Sequence, residues 1–142
     1  QLGTLLAFRN ENEQCAIVQV FLAHGKLAAW TRHDNINTAP NGASSKWPVN
    51  NDQWRHFAVV RLANGTTNLY LDGDLVGELK HNSYAKPGWS ITTDLRWRGG
   101  EPMWRKLKAN SPDSRVLQCA LDEICVFNRA LSPEEIKKLA GR

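Results

Sequence analysis

Residues 54–79 read WRHFAVVRLANGTTNLYLDGDLVGEL, and this stretch limits the fold more tightly than any other in the chain. Two apolar runs rich in Val, Leu and Tyr flank Asn64-Gly65, and a second break falls at Asp72-Gly73. Asn-Gly and Asp-Gly readily adopt the positive φ angles of two-residue hairpin turns. Three antiparallel strands in a meander are therefore expected, as the spine of an all-β domain.

The flanking segments extend this pattern. Residues 3–8 form a short apolar run, and residues 15–22 (CAIVQVFL) form a second with strong β propensity. A break at His24-Gly25 precedes a third run over 26–31 (KLAAWT), so a second meander is expected. Residues 33–51 are rich in Asn, Pro, Ser and Gly, too polar for core, and read as a long surface loop of the kind that carries function on a rigid sheet. Residues 81–88 read as a turn-rich link and 89–97 as one more strand. The following loop, to Ser114, holds Pro102, Pro112 and most of a basic cluster. Residues 116–127 (VLQCALDEICVF) lack Gly and Pro and read as a long strand.

Ser132-Pro133-Glu134-Glu135 is a helix start, with Ser as N-cap, Pro at the first helical position and Glu at the third completing a capping box. Ile136, Leu139 and Ala140 give that short helix an apolar face, and Lys137 and Lys138 sit near its negative end. Many short strands with turns at roughly 8–12-residue spacing imply an antiparallel two-sheet jelly-roll sandwich with one short C-terminal helix.

At 142 residues, 42% hydrophobic and 23% charged, the chain fits a single globular domain over residues 1–142. No apolar run is long enough to cross a bilayer, and the first residues lack the basic start and apolar stretch of a signal peptide. A chain that begins at Gln1 is expected to be a processed or excised piece.

Three cysteines leave at least one thiol unpaired. Within one strand Cys119 and Cys125 would stand about 20 Å apart, which excludes a bond between them. Either could pair with Cys15 if its strand were a neighbour, and a buried free thiol packing as a small hydrophobe is the simpler reading. No CxxC and no Cys/His cluster suggests zinc.

The formal charge of +4 is unevenly placed: residues 96–108 (RWRGGEPMWRKLK) carry five basic residues and one acid, so the remainder has 13 of each.

Three segments resemble the laminin G-like branch of the concanavalin A-like lectin/glucanase superfamily, two-sheet jelly rolls that include the pentraxins. Trp54-Arg55-His56-Phe57-Ala58-Val59-Val60 resembles that family's W-x-H-x-A-V-V strand. Leu69-Tyr70-Leu71-Asp72-Gly73-Asp74-Leu75-Val76 resembles its L-Y-V-D-G-x-L-V hairpin. Residues 121–136 (LDEICVFNRALSPEEI) resemble its closing signature, I-D-E-V-x-I-Y-N-R-A-L-S-x-E-E-I. The family's usual first strand, of the kind F-T-x-x-A-W-V, is missing from the sequence, as is the acidic calcium loop of the pentraxins. The resemblance implies a non-catalytic recognition module, an accessory domain of a secreted, periplasmic or envelope protein alongside other domains of a parent chain.

The chemistry-bearing residues agree with a non-catalytic reading. Glucanases of the superfamily carry E-x-D-x-x-E on one strand, with carboxylates directed into one cleft, and nothing here matches. Asp122 and Glu123 are neighbours and point to opposite faces of a strand, Asp72 and Asp74 straddle a turn, and Glu134 and Glu135 open the helix. His24, His33, His56 and His81 are dispersed without ligand spacing, and no GxSxG nucleophile motif is present. No cofactor is expected. Asp34, Asn35 and Asn37 offer oxygen ligands for a structural calcium ion but fall short of a calcium-loop pattern.

Six tryptophans are many for this length, and indole faces contact the CH face of a pyranose ring. Trp54 is expected in the core. Trp30, ending a strand, and Trp47, in the polar loop, form one candidate platform. Trp97 and Trp104, interleaved with Arg96, Arg98 and Arg105, form another: guanidinium groups fork onto sulfate or carboxylate while indoles stack. The competing reading is a solvated loop pinned by its aromatics. The expected ligand is an acidic glycan; the alternative is a protein-interaction or structural domain whose basic loop meets an acidic partner. Thirteen residues with a modest surplus do not make a nucleic-acid-binding face.

Overall fold

The structure, a computed structural model, describes residues 2–9, 16–31, 41–49, 51–64, 66–80 and 119–141. The N-terminal apolar runs form β1 (Leu2–Arg9), β2 (Ala16–Ala23) and β3 (Lys26–Thr31). With β4 (Asn41–Pro48) they make an antiparallel sheet in the order β1-β2-β3-β4. At the β2–β3 turn His24 (φ 51°) and Gly25 (φ 80°) are both left-handed, as a type I′ hairpin turn requires.

The central meander forms the second sheet, β5 (Phe57–Arg61), β6 (Thr67–Leu71) and β7 (Asp74–Leu79), in chain order. Its β6–β7 turn repeats the solution with Asp72 (φ 49°) and Gly73 (φ 86°). At the β5–β6 turn the Thr66 N–H donates to Oδ1 of Asn64 (2.9 Å), and the Leu62 N–H donates to the Thr66 carbonyl (2.8 Å).

Alternation along the strands then stacks the sheets. Val20, Leu27, Ala29 and Ala43 of the first sheet meet Leu69 of the second in one buried cluster, with Phe57, Val59, Leu71 and Val76 packed against it. Gly77 shows how closely the layers approach. A Cβ there would stand 2.9 Å from the Ala43 Cβ and 3.1–3.2 Å from Ser44 backbone atoms, so only hydrogen fits. The opposite parity of β5, Ala58 and Val60, joins Tyr70 and Leu131 around Ile136 of α1 (Pro133–Leu139). The result is an antiparallel two-sheet sandwich of the jelly-roll kind with one short helix among the described residues, the architecture expected from sequence.

The helix starts as its sequence dictates. The Glu135 N–H donates to the Ser132 hydroxyl (3.2 Å) and the Ser132 N–H donates to Oε2 of Glu135 (2.8 Å), a complete capping box. Arg129 grips the same carboxylate, Nη1 to Oε2 at 2.8 Å and Nη2 to Oε1 at 2.5 Å. At the far side of this turn of helix, a Cβ on Gly73 would meet the Lys137 Cα at 3.2 Å, so the β6–β7 turn sits directly against α1.

Five expectations are corrected. The polar loop over 33–51 contains β4: Ala43 and Ser45 point inward and are buried while Ser44 and Lys46 are exposed, a strand made by pairing with β3 and not by intrinsic propensity. Residues 119–127, expected in a strand, join no ladder among the described residues, and Glu123 at φ 51° breaks the extended run. Cys119 and Cys125 there are free and exposed, not buried. Trp54 is 73% exposed, not core, because it precedes β5 and is not part of its inward-facing alternation. Leu139 is also exposed; Ile136 alone of the helix is buried, since a seven-residue helix presents little more than one side chain to the sheet.

Substituting Gly77 with Ala should lower stability by about 1–3 kcal/mol through overpacking, measured as a lower urea midpoint. An added Ala43→Gly change should restore only part of it, because the Ser44 backbone still crowds the new methyl.

The Arg129 hydrogen bonds, then the Ser132 N–H, pull the Glu135 carboxyl from its ordinary 4.5 to about 2. A depressed carboxylate stabilises the fold above its unfolded-state pKa and loses that contribution as pH falls through the folded one. Between about pH 4.5 and about 2 the wild type should therefore lose helix-end stability more steeply than Glu135→Gln, in thermal melts read by circular dichroism.

Candidate functional site

The end of β4 and the connection that leads on to β5 each carry one exposed indole, Trp47 and Trp54. In the β3–β4 ladder Ala28 pairs with Ser44 but Lys26 pairs with Pro48, so β4 carries two more residues than β3 across this interval. Ser45 fills the gap: its buried hydroxyl accepts from the Leu27 N–H (3.1 Å) and donates to the Trp47 carbonyl (2.8 Å). This bulge supplies the hydrogen bond that the strand backbone no longer makes, and it turns Lys46, Trp47 and Pro48 to solvent. Trp47 is 77% exposed. Pro48 ends the strand, and the Val49 N–H donates to the Gly25 carbonyl (2.7 Å), which pins the connection to the β2–β3 turn.

Asn51, Asp52, Gln53 and Trp54 follow, all exposed. Asp52 has a positive φ of 56°, and Asn51 Nδ2 donates to Gln53 Oε1 (3.0 Å), leaving Asn51 Oδ1 as an outward acceptor and Gln53 Nε2 as an outward donor. The chain then arrives at the β6–β7 turn. The His56 N–H donates to Asp72 Oδ1 (3.0 Å), the Asp72 N–H donates to the His56 carbonyl (2.7 Å), and Arg55 Nε lies 2.5 Å from Asp72 Oδ2. That last contact is an ion pair without hydrogen-bond alignment, since Arg55 Nε makes no such bond. Asp72 thus holds the turn and the end of the connection, as its place in a turn implies. Of the charged residues on and beside the connection, Arg55 is paired with Asp72.

The structure places the sequence-derived candidates unequally. Trp47 is at the surface, though on a bulged strand end and not in a loop. The Trp30 backbone pairs with Gln19 and Gly42, and its indole lies outside the described side chains. Arg96, Trp97, Arg98, Trp104, Arg105, the expected strand over 89–97, Cys15 and the oxygen-rich trio Asp34, Asn35 and Asn37 lie outside the described residues. Among the described residues no group of three or more His, Cys, Asp or Glu could hold a metal ion. Sequence reasoning missed Trp54, although its polar approach, Asn50-Asn51-Asp52-Gln53, marks it as a loop residue. It also missed an apolar strip in which Ile124, Val126 and Phe127 are exposed. Leu121, packed on the main core, and Leu131, packed beside Ile136, anchor that strip at its two ends.

The two stacked antiparallel sheets define a β-sandwich of the jelly-roll kind. The chain belongs to the laminin G-type family described as the concanavalin A-like lectin/glucanases superfamily, whose family model matches residues 4–137. Among solved structures it is similar to an S-layer domain-containing protein (residues 221–444) from Clostridium thermocellum ATCC 27405, with 22% identity and a TM-score of 0.51. The likeness covers 97% of this chain and 63% of that one, and is a likeness of fold. No curated protein matches this chain.

Replacing Asp72 with Ala should cost about 1–3 kcal/mol, because it strands the His56 N–H and removes the Arg55 partner. Asp72→Asn should cost less, since an amide oxygen still accepts and Asn tolerates positive φ. Urea unfolding of the two variants side by side reads the difference.

Proposed function

We propose that this domain is a non-catalytic recognition module that binds carbohydrate, as an accessory part of a longer envelope or secreted protein. The observation that carries the reading is Trp47: a large apolar ring, 77% exposed, on a strand end held by a buried hydrogen-bonded serine. An indole kept in water on a rigid scaffold contributes nothing to folding there, and its flat face suits the CH face of a sugar ring. The basic cluster at 96–108, which holds the chain's whole charge surplus, supports an acidic saccharide as one ligand, with Arg96, Arg98 and Arg105 as anion contacts and Trp97 and Trp104 as stacking partners.

A non-catalytic reading is supported by the places of four described carboxylates. Asp72 closes a turn and Glu135 closes a helix cap. Asp74 and Glu78 of β7 are four residues apart, about 13 Å along a strand and beyond the separation of about 5–9.5 Å that glycosidic acid–base pairs use. The S-layer domain-containing protein of similar fold supports a cell-envelope setting. No helix among the described residues is long and apolar enough to cross a membrane.

A second reading, a protein-interaction or structural domain, is favoured by the exposed strip of Ile124, Val126 and Phe127, which is more apolar than a glycan contact needs.

A glycan array probed with wild type, Trp47→Ala and an Arg96→Ala/Arg98→Ala double variant separates them. The carbohydrate reading expects saccharide binding that falls about tenfold in Trp47→Ala, the loss of one stacked contact, with acidic ligands lost in the arginine variant. An array without any bound saccharide overturns it in favour of a protein partner.

A further inference from the structure

Residues 64–66 read Asn64-Gly65-Thr66, the only Asn-X-Ser/Thr triplet in the chain. Such a triplet, with X other than Pro, is the acceptor sequence for an N-linked glycan. The fold puts it where a bulky group fits, between the end of β5 and the start of β6, with Ala63 and Asn64 both exposed.

The β5–β6 turn uses one end of the Asn64 amide and not the other. It takes Oδ1, which accepts the Thr66 N–H at 2.9 Å. An Asp oxygen would close the same turn, so the turn gives no reason for a nitrogen. Nδ2 lies outside that bond on an exposed side chain, and it is the atom to which an N-linked sugar is joined. A glycosylated amide keeps its carbonyl oxygen, so the bond to Thr66 survives the modification. Position is permissive as well. From Thr67 to Leu71, β6 carries the chain four steps of about 3.4 Å, or about 14 Å, to the Asp72 turn. The contact of Gly73 with α1 and the Arg55–Asp72 pair lie at that other end, so a glycan on Asn64 stands clear of both.

Thr66 sets when the sugar can be added. The acceptor triplet is read through its Thr hydroxyl as well as its Asn, yet Thr66 is only 7% exposed, and its N–H and carbonyl are tied to Asn64 and Leu62. A transferase cannot reach that side chain once the turn has closed.

We propose that Asn64 is an N-glycan acceptor, modified before the β5–β6 turn closes. In the transfer Nδ2 attacks the anomeric C1 of a lipid-pyrophosphate-linked oligosaccharide. The C1–N bond forms and the C1–O bond breaks. The lipid pyrophosphate departs with the electron pair, and the proton leaves Nδ2 for a base on the transferase. The inference rests on the secreted or envelope setting proposed above and not on sugar binding by the domain.

The test directs the whole chain through the secretory pathway of a glycosylating host and reads intact mass before and after peptide-N-glycosidase. Expected is added mass that the glycosidase removes, converting the Asn64 amide to a carboxylate. That mass should be wholly absent from Asn64→Asp, which keeps the oxygen that closes the turn, and from the near-isosteric Thr66→Val. Thr66→Ser, with its hydroxyl, should retain it. Offered the same transferase and donor in vitro, the folded unmodified chain should react at least about tenfold more slowly than a peptide of residues 60–69, because reaching Thr66 requires local opening. Wild type without added mass, mass that persists in Asn64→Asp, or equal rates for the folded chain and the peptide overturn the inference. The chain isolated from its own source separates this from the setting: an unmodified Asn64 in the envelope or medium overturns the inference alone, and a cytosolic chain overturns both.

Discussion

The face-to-face contact of two sheets at Ala43 and Gly77 sets the spacing of everything else. Because Gly77 has no side chain and Ala43 has only a methyl, β7 and β4 approach until a Cβ–Cβ distance would be 2.9 Å. That closeness lets Leu69 reach Leu27 and Ala29 and leaves all three almost wholly buried. Large-to-small changes at such positions cost about 2–5 kcal/mol, so a few residues carry a large share of a domain's margin. Widen the gap by one methyl and the same apolar faces no longer interlock.

Around this contact the chain uses a small set of polar fasteners, each placed where a ladder or helix leaves a backbone group without its regular partner. Ser45 accepts the Leu27 N–H at the bulge. Asp72 accepts the His56 N–H at the mouth of a hairpin turn, and Ser132 accepts the Glu135 N–H at the helix start. In each case a short side chain satisfies a donor that would otherwise be desolvated without a partner. The consequence for function is positional. The connection 49–56 is held at both ends by such fasteners, so the backbone that carries Trp54 is anchored, as Ser45 anchors the strand end that carries Trp47.

The central meander, its two turns, the N-terminal strands and the capped helix were all legible in the sequence, because each is specified by neighbours in the chain. Asn-Gly, Asp-Gly and Ser-Pro-Glu-Glu act over two to four residues, and alternating apolar residues act over one strand. The candidate site was legible only in part. Trp47 stood out as an aromatic in a polar stretch, but the same polar stretch hid the strand beneath it. Trp54 was misplaced because a residue two or three positions before a strand shares the strand's composition without sharing its faces. Residues 119–127 show the converse: β-branched and aromatic residues raise the expectation of a strand, yet among the described residues no ladder receives them.

Local chemistry written in the amino-acid order therefore determined the elements, their turns and the family signature that this chain bears. Which polar segment becomes an edge strand, which glycine must stay bare, and which tryptophans remain in water were decided only when the two sheets met. Those outcomes depend on the distance between atoms far apart in the chain, and no short-range preference encodes a distance across a core.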